Sequence, residues 1–218
     1  MIESRIGQVS RSAGWAMTET MAVGTAMSGE IYDLKPGSSG VKSPIVELRY
    51  VGPNGQPLPE GEIGEIQIKG ITLCDGYWIR PDASAEIMDG PWMKTGDLGM
   101  LDSDGFLHIT GRIKEIVIRG GENIYPGEIE NVAYSMAPVQ EVVVFGVPDA
   151  TMGEELVMVA YVPASAGLTV EDLRAYLGEK MAAYKVPRYI QLVDEHLPQN
   201  ASGKLHKLKT REMFLDSN

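Results

Sequence analysis

The stretch Gly111-Arg-Ile-Lys-Glu-Ile-Val-Ile-Arg-Gly-Gly-Glu-Asn-Ile-Tyr-Pro-Gly-Glu-Ile-Glu130 decides how this chain is read. A short apolar run, Ile116–Ile118, leads into the paired glycines Gly120 and Gly121. Glycine lets a backbone turn sharply and approach a ligand with no Cβ in the way. Pro126 suits a first helical position, and Glu128 and Glu130 fall in the opening turn, where the helix dipole favours carboxylates. The stretch predicts a strand, a ligand-accessible loop and a helix start, with Arg112, Lys114 and Arg119 as cations along it. A well-capped surface turn would carry the same local pattern.

The pattern differs on the two sides of this stretch. Before Thr110 the chain reads as short strands broken by glycine and proline: Pro44–Val51, Gly64–Gly70, Trp92–Thr95 and Phe106–Thr110. Ile66 and Ile68 alternate onto one face, and Asp102-Ser-Asp-Gly105 reads as a turn. Frequent short strands predict a small barrel or distorted sheet. Beyond it, helices are expected from Pro126 to about Ser135, with Ile129, Val132 and Ala133 inward, and from Thr169, whose Thr-Val-Glu-Asp resembles a capping box. Leu173, Leu177 and Met181 form that second helix's apolar stripe. Strands are expected at Glu141–Phe145, Leu156–Val162 and Tyr189–Val193, and a last short helix at Leu208–Leu215. The fold class is therefore α+β: a small β-barrel-like subdomain over residues 1–110, a junction at 111–114, and a compact α+β domain over 115–218.

Composition excludes several functions. The formal charge is −11, from 19 basic and 30 acidic residues, which argues against nucleic acid as a partner because phosphate neutralisation needs a basic face. Cations do gather in Lys185, Arg188, Lys204, Lys207, Lys209 and Arg211 against Asp194 and Glu195; this reads either as a site for a small phosphorylated ligand or as a solvated lysine face. Cys74 is the single cysteine, so no intrachain disulfide and no zinc site is expected. His108, His196 and His206 are scattered without metal-ligand spacing. Apolar runs such as Leu156–Val162 are too short to span a bilayer, and the N-terminus has no basic-then-apolar leader. A cytoplasmic location is the expectation.

Three further strings carry polar chemistry: Gly14-Trp-Ala-Met-Thr-Glu-Thr20, Trp92-Met-Lys-Thr-Gly-Asp97 and Pro198-Gln-Asn-Ala-Ser-Gly-Lys204. Each alone has a plain structural reading, as a helix start, a turn and a surface turn. In this order, with Gly64–Gly70 and the 111–130 stretch, they resemble the adenylate-forming, or AMP-binding, superfamily in its acyl-CoA synthetase branch. The resemblance runs over nearly the whole chain. It implies that the Thr18 hydroxyl bonds a nucleotide phosphate, that Glu19 holds Mg²⁺ through oxygen, and that Trp15 lies beside the nucleotide. Trp15 and Ala16 depart from the family's usual tyrosine and glycine. Asp97 would accept both ribose hydroxyls with Arg112 in support, fifteen residues on. Lys114 would be the hinge residue, and Arg119, Gly120 and Gly121 would line the path of the CoA pantetheine. Lys204 would neutralise charge growing between the substrate carboxylate and the α-phosphate; its loop is expected to wander. Gly37-Ser-Ser-Gly-Val-Lys-Ser43 only superficially resembles a phosphate-binding loop, since two residues rather than four separate its glycines.

The implied reaction joins a carboxylic acid, ATP and CoA into acyl-CoA, AMP and pyrophosphate through an acyl-adenylate. A fatty or other apolar acid is expected. The Gly/Ser/Thr-rich loop that cradles the outer ATP phosphates in this family is missing. The chain therefore reads as a C-terminal part, barrel subdomain, hinge and lid, inactive alone and partnered by a missing N-terminal portion, with homo-oligomerisation left open. Alternatives are a CoA-independent adenylating enzyme that loads a carrier protein, and a non-catalytic subunit that binds nucleotide or a partner chain.

Overall fold

The polar-apolar alternation of Gly64–Gly70 makes it the central strand of the first half. In the computed structural model, which describes residues 11–217, strands β1 (Ser12–Trp15), β2 (Thr25–Ser28) and β3 (Val41–Lys42) form one antiparallel sheet, with a short helix α1 (Glu30–Leu34) after β2. A second antiparallel sheet combines β4 (Val46–Val51), β5 (Gly64–Gly70), β6 (Met88–Asp89), β7 (Trp92–Leu101) and β8 (Leu107–Arg112); helix α2 (Pro81–Ile87) precedes β6. The sheets join where the Ser39 N–H donates to Leu107 O at 2.7 Å and the Leu107 N–H donates to Gly40 O at 2.9 Å. Gly40 has φ +88° and comes so close to Ala26 that a Cβ would lie 2.3 Å from its carbonyl carbon. Only glycine admits that approach, and the result is a curled half-barrel. Ile66 and Ile68 are fully buried with Trp15, Val46, Tyr50, Met93 and Leu107. Gln67, between them, is also buried; its Oε1 accepts from Arg49 Nε at 2.9 Å, which lets a polar side chain sit inside.

The second half is built around strands apolar on both faces. It contains β9 (Val117–Arg119), β10 (Glu122–Ile124), helix α3 (Pro126–Tyr134), β11 (Glu141–Asp149), β12 (Gly153–Tyr161), helix α4 (Val170–Lys180), β13 (Tyr189–Val193) and helix α5 (Lys207–Ser217). The sheet order is β10-β9-β12-β11, with β13 parallel to β12. Val142 and Val144 on β11, and Leu156, Met158 and Ala160 on β12, pack with Ile129, Leu173 and Leu177 of α3 and α4. Val143, Phe145, Val147, Val157 and Val159 point the other way, toward Leu197, Leu205 and Phe214. Two covered faces explain the unbroken apolar runs, because neither face meets water. The chain divides into two compact units between Ile113 and Lys114.

Two sequence expectations need correcting. The strand beginning at Trp92 does not stop at Thr95 but continues to Leu101. The residues after Gly121 are not a loop leading straight to a helix; β9 and β10 form a hairpin in which Arg119 faces Glu122. Gly120 and Gly121 make its two-residue turn, with φ of +60° and +88°, the doubly left-handed geometry that suits the strands' own twist. Helices α1 and α2 were not expected at all.

Candidate functional site

Asp97 occupies a bulge. Glu65 faces Leu98 and Gln67 faces Lys94, so Thr95, Gly96 and Asp97 lie opposite Ile66 alone. The Thr95 hydroxyl donates to Ile66 O at 2.6 Å and accepts from the Asp97 N–H at 3.1 Å, while Gly96 takes φ +71°. Bulges re-aim side chains next to functional sites. Here the Asp97 carboxylate, 7% exposed, is held at both oxygens. The Trp15 indole Nε1–H donates to Oδ2 at 2.7 Å, and the Arg112 guanidinium forms an ion pair with Oδ1, Nε to Oδ1 at 3.0 Å. Arg112 is the cross-strand partner of Asp97. The structure thus brings together Trp15, Asp97 and Arg112. The indole bond spans 82 positions, and no local signal could have suggested it.

Thr18 is exposed at the start of a single 3-10 turn, Thr18–Thr20, stopped by left-handed Met21 and Ala22. Glu19 has a partner the sequence did not suggest: the Tyr77 hydroxyl donates to its Oε1 at 2.7 Å. The carboxylate, aided by modest burial, holds the Tyr77 phenol above its ordinary range. The other Glu19 oxygen has no partner among the described residues, where no group of three or more metal-binding side chains occurs. A cation at Glu19 would take one protein oxygen and draw its other ligands from phosphate and water. That suits Mg²⁺, which keeps water and binds through one or two carboxylates plus substrate phosphates.

In the second unit Lys114 lies exposed within the 3-10 turn Ile113–Glu115. Gly120 and Gly121 are exposed at their hairpin turn. The Arg119 side chain turns inward instead: its Nε–H pairs with the fully buried Glu155 and its Nη1 donates to Tyr184 O at 3.2 Å. Lys204 is exposed on the loop before α5. The basic cluster is largely spent inside this unit. Lys185 bonds both Glu128 oxygens at 2.7 and 2.8 Å, Arg188 faces Asp149 at 3.6 Å, and Arg211 donates to Gly146 O at 3.1 Å. Lys207 bonds Glu115 at 2.6 Å and Glu130 at 3.0 Å. The side chains of Lys204 and Lys209 make no bond among the described residues.

Comparison with known proteins places the chain in a family. The family model for AMP-binding enzymes matches residues 3–78, and that for the AMP-binding enzyme C-terminal domain matches residues 128–204. A feruloyl-CoA synthase of an Amycolatopsis species is 38% identical over 201 residues, covering 92% of this chain and 41% of that protein. A long-chain-fatty-acid–CoA ligase of Mycobacterium tuberculosis is 37% identical, covering 92% of this chain and 39% of the ligase. Among solved structures, ATP-bound MatB of Rhodopseudomonas palustris superposes with a TM-score of 0.85 at 35% identity, covering 99% of this chain and 42% of MatB. The amide bond synthetase McbA of Marinactinospora thermotolerans gives 0.88 at 30% identity, covering 97% and 43%. The chain belongs to the AMP-binding, adenylate-forming enzymes. It spans about 40% of the length of the curated relatives it matches. Among the described residues no helix is long and apolar enough to cross a membrane.

Proposed function

We propose that this chain serves an ATP-dependent acid–thiol ligase, in which a carboxylic acid is activated as its adenylate and passed to CoA. The observation that carries the reading is the bulge in β7 that leaves Asp97 in the strand but out of register with β5, with its carboxylate between Trp15 and Arg112. A carboxylate has about four acceptor sites, so beside the indole bond and the ion pair each oxygen still has capacity for a ribose hydroxyl. Thr18 donates its hydroxyl to a phosphate. Mg²⁺, when bound at Glu19, supplies charge neutralisation for the phosphates. Lys204 contributes a mobile point charge at the α-phosphate, where charge grows as the adenylate forms. Lys114 is the hinge about which residues 115–218, the proposed lid, reorient between the two half-reactions. The exposed turn at Gly120–Gly121 then lines the pantetheine path, while Arg119 fixes that turn from beneath through Glu155.

An apolar aryl or fatty acid is the substrate class this reading favours, since feruloyl and long-chain fatty ligases are both among the relatives. The likeness to an amide bond synthetase favours a second reading, in which an amine replaces CoA as acceptor. The test has two parts. AMP titrated into the 218-residue chain should release heat of binding that Asp97→Ala abolishes. The enzyme carrying this chain, given ATP, Mg²⁺ and a panel of aryl and fatty acids, should yield acyl-CoA with CoA and no amide with amines. Amide without thioester selects the second reading; no AMP binding removes both.

A further inference from the structure

Lys204 was expected on a wandering loop, yet residues 198–206 form a closed finger. Asn200 closes it from within: its Oδ1 accepts the Ser202 N–H at 3.0 Å, the Ser202 hydroxyl at 2.7 Å and the Lys204 N–H at 3.0 Å. The main chain repeats the closure. The Asn200 N–H donates to Lys204 O at 2.8 Å, the Gly203 N–H to Asn200 O at 2.9 Å, and the His206 N–H to Pro198 O at 2.7 Å. Gln199 and Leu205 pair across the finger as an isolated antiparallel bridge. Gly203 supplies the left-handed turn, at φ +79°.

The finger's base hangs on one side chain. Glu141, the first residue of β11, accepts the Leu197 N–H at 2.7 Å through Oε2. Its Oε1 bonds His196 Nδ1 at 2.7 Å and accepts from Gln199 Nε2 at 3.2 Å. The His196 ring packs on Tyr161 with centroids 4.5 Å apart. An Asx turn closes many surface loops, but this one reaches past Ser202 to the main chain of Lys204 itself. A carboxylate 56 residues upstream, on the rigid sheet, gives both oxygens to the same finger. None of these bonds touches the Lys204 ammonium.

We infer that Asn200 and Glu141 are positioning residues for Lys204. They fix the backbone from which the lysine projects, so only its flexible stem remains to be ordered when it meets a phosphate. Lys204 then moves with the sheet rather than as a free loop. A reacting charge displaced by about 1 Å can cost orders of magnitude in rate, which is what such a mount prevents. The inference rests on the role proposed above for Lys204, and its first test does not.

Amide hydrogen exchange on the 218-residue chain should find the Ser202, Gly203 and Lys204 amides protected. Asn200→Ala should expose Ser202 and Lys204 while Val143–Val147 stays protected. Asn200→Asp keeps the accepting oxygen and should restore protection; Glu141→Ala should expose Leu197. In the enzyme carrying this chain, Asn200→Ala should lower kcat for pyrophosphate release about tenfold with KM for ATP within about twofold, and Asn200→Asp should recover most of it. Unprotected Lys204 in the native chain, or protection that survives Asn200→Ala, overturns the rigid mount whatever the reaction. Lost protection with unchanged kcat overturns the positioning role if Lys204→Ala is inactive. If Lys204→Ala also retains full activity, the proposed role of Lys204 fails instead.

Discussion

Asp97 shows how a carboxylate can be buried and still be held in place. Its surroundings supply an indole N–H to one oxygen and a guanidinium charge beside the other. Removing one partner of a buried polar group costs about 1–3 kcal/mol, because the other is left unsatisfied. Trp15→Phe keeps most of the ring's packing but deletes the donor to Oδ2. The first unit should lose about 1–2 kcal/mol, read from urea unfolding; a variant as stable as the native chain would mean the indole bond does not hold Asp97. A second carboxylate gives a pH signature. Asp102 accepts N–H groups from Phe106 and Asp104 and faces His108 and Lys35. The Phe106 N–H is the largest cause holding its pKa well below the ordinary 3.8, burial opposing it. A depressed carboxylate contributes stability that is complete above its unfolded pKa and lost as pH falls through the folded one. The melting temperature of Asp102→Asn should therefore lie below the native value at pH 7, with the gap closing below pH 3.8. A gap that persists in acid would contradict this linkage.

At the scale of elements, the β9–β10 turn shows what glycine does for the fold, whatever ligand role is proposed for it. A Cβ on Gly121 would meet nothing within 4 Å, but its φ of +88° is left-handed. An ordinary residue there costs about 1–2 kcal/mol, while asparagine tolerates the conformation. Gly121→Ala should destabilise the second unit by about that amount in urea unfolding, with Gly121→Asn closer to native; equal stability of all three would mean the turn is not strained. The same comparison explains what could be read in advance. The capping box at Thr169, where Thr169 and Asp172 exchange bonds at 3.1 Å, was legible because all its determinants lie within one turn. The strands β11 and β12 were legible because two covered faces leave an unbroken apolar run. The bulge at Asp97 was not, since Thr95 and Gly96 carry turn chemistry and only the neighbouring Ile66 carbonyl makes them part of a strand. Tyr77, Glu141 and Asn200 were missed for a related reason. Their roles come from partners as many as 58 positions away, or from backbone groups that no side-chain pattern reveals.

Over the whole molecule, each unit has its own buried core, so neither depends on the other for its apolar packing. The residues flanking the division are each held within their own unit. Arg112 is tied back to Asp97 in the first unit, and Glu115 is tied forward to Lys207 in the second. Burial works against the Lys207 ammonium, but Glu130 and Glu115 outweigh it and hold its pKa above the ordinary value, so the forward tie persists until strongly alkaline pH. Between these anchors Lys114 is exposed, and its side chain makes no bond among the described residues. The proposed hinge would need only a few dihedrals here to change while both neighbours stay fixed. Proline at this position locks φ near −65° and drives Ile113 toward extended backbone, removing that freedom without deleting a side-chain hydrogen bond or ion pair among the described residues. In the enzyme carrying this chain, Lys114→Pro should slow thioester formation from preformed acyl-adenylate at least about tenfold more than it slows pyrophosphate release, measured in single turnover. Equal slowing of both half-reactions would place the pivot elsewhere.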